Sequence, residues 1–156
     1  MTQKLYQPHL QIIAAGNRKL GHDLQPPCTE QGLAELQAKA KAELSAELPD
    51  EYLHFLRITD GLNWNGVYIY PSHKALLVGY RDLYIDGFVE MNQFWREETD
   101  QEGNYLFYAD ADLDLYGYNL KESRYELVTK DSGEVETTYN SFDEMLAAAL
   151  RYSANA

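Results

Sequence analysis

A chain of 156 residues with 45% hydrophobic and 13% aromatic content has ample material for one folded core, which excludes a disordered chain. One domain spanning 1–156 is expected, burying roughly 70% of the surface of its unfolded form. No apolar run approaches the roughly 20 residues that cross a membrane. The opening MTQKLYQPHLQ has no basic segment leading into an apolar one, so no secretory leader is expected and a cytoplasmic protein is the default. Cys28 is the only cysteine, which rules out an internal disulfide and any cysteine-rich zinc site.

The net charge of −12 is unevenly placed. Residues 1–80 carry 8 acids and 7 bases, whereas residues 81–156 carry 17 acids and 6 bases. Between Asp82 and Asp114 there are ten acids and one base, Arg96. Such a field repels nucleic-acid phosphates and anionic lipid, so neither is expected as a partner; it attracts a basic protein surface. Solubility is the plainer account of the same acids.

In chain order, residues 5–20 read as a helix with Leu5, Ile12, Ile13 and Leu20 as apolar contacts, although Pro8 blurs its start. Gly21 to Cys28, with Pro26-Pro27, reads as an extended connection. Thr29 caps a second helix to about residue 46, with Leu33, Leu36, Ala40 and Leu44 as its apolar stripe. Pro49 opens a short third helix over 50–59, Asp50 and Glu51 face its positive end, and Gly61 is expected to close it in a left-handed cap. Asn63-Trp64-Asn65-Gly66 then forms a turn into a strand.

The period changes after Gly61. Val67–Tyr70 and Ala75–Gly79 read as short strands joined by a turn at Pro71-Ser72-His73. Residues 87–98 read as a helix or an irregular helical turn with Phe88, Met91, Phe94 and Trp95 on one side. Tyr105–Ala109 and Leu113–Asn119 read as strands, and Arg124–Thr129 with Glu134–Tyr139 as a hairpin around Lys130-Asp131-Ser132-Gly133. Ser141 and Glu144 form a capping box for a last helix. Helices, then antiparallel strands, then a helix predict an α+β fold.

Motifs that carry chemistry are scarce. Asp110-Ala-Asp112-Leu-Asp114 invites a calcium loop, but an EF-hand starting at Asp110 would need glycine where Leu115 stands and a bidentate glutamate where Lys121 stands. An acidic strand connection is the better reading. His9, His22, His54 and His73 are not spaced for a shared metal. Cys28 and the serines lack a nucleophile setting, and no P-loop or GxGxxG is present. No catalytic group, metal or cofactor is expected.

LPDEYLHFLRITDG, Leu48 to Gly61, resembles the LPxxYxxFL-plus-glycine helix of the SUKH superfamily, which includes yeast cell-wall-assembly regulators of the Smi/Knr type. Gly66-Val-Tyr-Ile-Tyr70, Tyr105-Leu-Phe-Tyr-Ala-Asp110, Leu115-Tyr-Gly-Tyr118 and Asn140-Ser-Phe-Asp-Glu-Met-Leu146 match further motifs in order. NWNG and GFVEMNQFW look like the bacterial YrhA-type branch. The chain departs from the family at Asp110–Asp114, where many members have a glycine-rich turn. The resemblance implies N-terminal helices, a bent, mostly antiparallel sheet and a C-terminal helix, with no catalytic site. It also implies an immunity protein that binds and neutralises a secreted toxin, often a nuclease; a scaffold binding a host protein is the alternative. Joined to the charge pattern, it selects Asp82, Asp86, Glu90, Glu97, Glu98, Asp110, Asp112 and Asp114 as a partner-binding field, with Tyr84 and Trp95 as anchors.

Overall fold

The computed structural model describes residues 3–99 and 103–155. Helices α1 (Gln7–Lys19), α2 (Glu30–Leu44) and α3 (Asp50–Ile58) come first. Strands β1 (Leu62–Trp64), β2 (Val67–Ile69), β3 (Ala75–Leu76) and β4 (Tyr84–Ile85) follow, then α4 (Phe88–Glu98). Strands β5 (Tyr105–Asp110), β6 (Asp114–Asn119), β7 (Arg124–Thr129) and β8 (Val135–Tyr139) precede the closing α5 (Phe142–Asn155). All strand pairs are antiparallel: one sheet runs β1-β2-β5-β6-β7-β8, and β3 pairs β4 separately. The expected α+β class, with helices first and last, is the observed one.

Local chemistry sets the element boundaries. The Thr29 hydroxyl accepts from the Gly32 N–H at 3.0 Å and starts α2, whose Leu33, Leu36, Ala40 and Leu44 are all buried. Asn65 and Gly66 both have positive φ, 48° and 81°, as a two-residue hairpin turn between β1 and β2 requires. The Ser141 hydroxyl accepts from Glu144 N–H, whereas the Glu144 carboxylate reaches Asn140 N–H, one residue before the cap. Bulges at Phe107/Ala109 and Leu127/Val128 add local twist to the sheet.

Several expectations need correction. Leu5, Ile12 and Leu20 are 54–64% exposed; of the expected α1 contacts Ile13 is buried, joined by Leu10, with Tyr6 before the helix donating its hydroxyl to His54 Nδ1 or accepting from it at 2.7 Å. Thr59, extended at φ −146°, ends α3, so Gly61 is not its cap. Gly61, at φ +87°, serves a close approach instead: an added Cβ would lie 2.8 Å from Pro71 Cβ. Strands β2 and β3 do not pair with each other, and β1 and β4 were not foreseen. On α4, Val89 and Asn92 are buried while Phe94 is 46% exposed.

The core is one cluster centred on four rings. Tyr52 of α3 lies 5.4 Å from Phe88, 5.0 Å from Tyr108 and 5.8 Å from Phe142, and Tyr108 lies 5.1 Å from both Phe88 and Phe142. These are edge and tilted contacts, the geometry aromatic quadrupoles favour. They tie α3, α4, β5 and α5 together. Strand β2 pairs β5 only near Ala109 and Asp110, and Tyr70 N–H then bonds Tyr108 C=O. Beyond that point α4 takes over the exposed edge of β5.

Candidate protein-binding surface

The acidic run divides on folding. Asp82, Tyr84 and Asp86 lie on or beside the β3–β4 hairpin, close to the start of α4. Glu97 and Glu98 end α4, and Glu98 shares a small cleft with the β7–β8 turn residues Lys130 to Gly133. Asp110, Asp112 and Asp114 form the β5–β6 turn, where Ala111 N–H bonds Asp114 C=O at 2.9 Å. Helix α4 thus separates two acidic groups by its length, roughly 16 Å. Asp100 and Glu102, which belong to the run in sequence, lie outside the described residues.

Not all ten selected residues are equally available. Asp82, Tyr84, Asp86, Glu97, Glu98 and Asp112 are exposed, and no described cation pairs with these acids. Glu90 pairs with Lys39, bracing α4 against α2. Asp114 shares a hydrogen bond with Glu136, which pushes the Glu136 carboxyl up. Arg96 makes no ion pair with its acidic neighbours among the described residues.

Asp110 and Trp95 belong to an internal network. The Asp110 side chain is only 13% exposed. Its Oδ2 accepts from the Tyr70 hydroxyl at 2.8 Å, and that hydroxyl accepts from Trp95 Nε1 at 2.8 Å. Lys130 Nζ stands 3.8 Å from Asp110 Oδ1 and 5.5 Å from the Trp95 ring centroid. Burial pushes the Asp110 carboxyl up, opposed by the Tyr70 hydrogen bond and by Lys130. Strand alternation turns this carboxylate inward, which a reading of exposed alternating acids does not anticipate. Trp95 spends its indole N–H inside, so Tyr84, 54% exposed with Lys74 over its ring, is the freer aromatic.

Two further polar clusters were not legible in sequence. Ser72, 3% exposed, donates its hydroxyl to Asp60 Oδ2 at 2.8 Å and accepts from Cys28 Sγ at 3.3 Å. His73 Nδ1 lies 2.9 Å from the same oxygen. The single hydroxyl proton is committed to a carboxylate and the oxygen is sealed from solvent, so no substrate carbonyl can reach it. Burial pushes the Cys28 thiol up, which leaves it a poor nucleophile. The second cluster centres on Glu126, fully buried, which accepts from Tyr105 Oη at 2.5 Å, Asn119 Nδ2 at 3.1 Å and Arg124 Nε. Burial alone would raise Glu126, but these three donors together hold it below the usual range.

A tyrosine-floored cleft of about 810 Å³ opens at the opposite end of the strands, between Ser45–Pro49 and the β5–β8 face. Tyr108, Tyr118, Tyr125 and Tyr139 line it. Its residues lie on four strands, so no local motif announces it. Among the described residues no group of three His, Cys, Asp or Glu side chains is placed to hold a metal, and no helix is long and apolar enough to cross a membrane.

Three helices, an antiparallel sheet interrupted by one helix, and a closing helix define an α+β protein with a divided acidic surface and a tyrosine cleft. The profile of the SMI1 / KNR4 family (SUKH-1) matches residues 27–148, and the chain belongs to that family. The motif-bearing α3, β5, β6 and the start of α5 all fall within the matched segment. No curated protein matches the chain.

Proposed function

We propose that the protein is a non-catalytic binding domain, an immunity protein that occupies the basic surface of a toxin domain such as a nuclease. The observation that carries this reading is the set of exposed, unpaired carboxylates at Asp82, Asp86, Glu97, Glu98 and Asp112. A nuclease presents cations to phosphate, and an acidic inhibitor competes for them while steering fast encounter. Family membership agrees with a protein-binding role. Tyr84 supplies an apolar anchor within the field, since exposed tyrosine combines area with a polar tip. Asp110, Glu90 and Trp95 act from behind, holding the turn and α4 in place.

The test is recovery of the complex from the native cell and identification of the bound protein. A basic domain that kills when expressed alone, and is silenced by co-expression of this chain, is the expected result. A bound host protein without toxic activity, and no protection against any toxin domain, favours a housekeeping scaffold instead.

A further inference from the structure

We infer that the tyrosine-floored cleft receives an arginine or lysine side chain from a protein partner, an assignment that rests on the binding role just proposed and adds a second contact to it. The cleft is lined by tyrosine rings: the Tyr118 and Tyr125 ring centroids lie 4.8 Å apart, tilted at 60°. Among the described residues, none of the Tyr108, Tyr118, Tyr125 or Tyr139 hydroxyls bonds to protein. The half-buried Tyr118, Tyr125 and Tyr139 therefore offer acceptor oxygens as well as rings, while Tyr108, 3% exposed, belongs to the core beneath them. Burial raises the Tyr108 and Tyr139 hydroxyls and pushes Tyr125 to about 12, so they stay neutral at physiological pH.

The surrounding charge selects a cation. Glu47 lines the wall, exposed, and the Glu51 field reaches both Tyr108 and Tyr125. No described cation pairs with either acid. The one base in the lining, Arg124, is committed to buried Glu126. A guanidinium or ammonium over tyrosine gains cation–π attraction and hydrogen bonds to phenol oxygens together. An anionic ligand would meet the unpaired Glu47 carboxylate at the wall, with Glu51 behind it. The cleft lies about 20 Å along six-residue strands from the β5–β6 turn, within the reach of one standard interface.

Aromatic NMR spectra of the full chain, titrated with the blocked peptide Gly-Arg-Gly-Gly-Arg-Gly, test the assignment. Saturable shifts of the Tyr118 and Tyr125 ring signals are expected, absent with the Gly-Glu counterpart, with affinity falling roughly fivefold in the Glu47→Gln/Glu51→Gln double variant. Shifts confined to Asp82–Asp86 and Glu97–Asp114, equal shifts with the acidic peptide, or no shifts overturn the cleft assignment while leaving the acidic-surface reading standing. Cleft shifts retained alongside partner binding that ignores the acidic surface would overturn that reading instead.

Discussion

Asn92 of α4 makes with Phe107 of β5 the two hydrogen bonds that a neighbouring strand would make. Its Nδ2 donates to the Phe107 carbonyl at 2.8 Å, and the Phe107 N–H donates to its Oδ1 at 2.7 Å. The same amide also donates to Phe88 C=O at 2.9 Å, so one side chain seals the edge that β2 leaves open. Asn92 is 1% exposed, and water cannot replace it. Asn92→Leu strands two buried main-chain groups of β5 and should cost about 2–4 kcal/mol, read as a fall in the urea midpoint at unchanged slope.

Two buried carboxylates should give opposite pH signatures. Asp110 is raised by burial, so the folded protein binds its proton more tightly than the unfolded chain, and its burden on stability grows as pH climbs through the raised value. Asp110→Asn should therefore gain on the wild type as pH rises from about 3 to 7. Glu126 is lowered: burial opposes its charge, but Tyr105, Arg124 and Asn119 outweigh it. Its contribution is present above the unfolded value and disappears as pH falls through the folded one. Glu126→Gln should cost about 1–3 kcal/mol at pH 7 and progressively less towards pH 3. Urea titrations at several pH values read both; parallel stability–pH curves for the variants would contradict the assignment.

Gly61 and Gly66 both have positive φ, +87° and +81°, yet their surroundings differ. An added Cβ at Gly66 meets nothing closer than Asp112 Oδ1 at 3.5 Å, whereas at Gly61 it meets Pro71 Cβ at 2.8 Å and Pro71 backbone at 3.0 Å. Gly66→Ala should cost about 1–2 kcal/mol from backbone strain alone. Gly61→Ala adds about 1–3 kcal/mol of overpacking and should be clearly the worse of the two in thermal denaturation.

What was legible in sequence was local. The α2 stripe, the Thr29 cap and the β7–β8 hairpin follow from period and turn chemistry within a few residues. Helix α1 is legible in its approximate extent, but of its four expected contacts only Ile13 is buried, because Leu5 and Ile12 form a stripe as plausible as Leu10 and Ile13. Packing against α5 selects the second. The acidic run was visible as charge, but its division between hairpin and turn, and the inward turn of Asp110 towards Tyr70 and Trp95, depend on contacts 25 to 40 residues apart. The tyrosine cleft had no signal at all, since Tyr118, Tyr125 and Tyr139 meet only through strand pairing.

If the exposed carboxylates steer a basic protein onto this surface, its association is fast at low salt and slows as salt rises. Stopped-flow association of the chain with its recovered partner, between about 0.05 and 0.5 M salt, measures this dependence. The variant carrying Asp82→Lys, Asp86→Lys, Glu97→Lys, Glu98→Lys and Asp112→Lys should associate roughly tenfold or more slowly than wild type at low salt, with the gap closing as salt rises. Equal association rates for the two proteins across the whole salt range would contradict the steering.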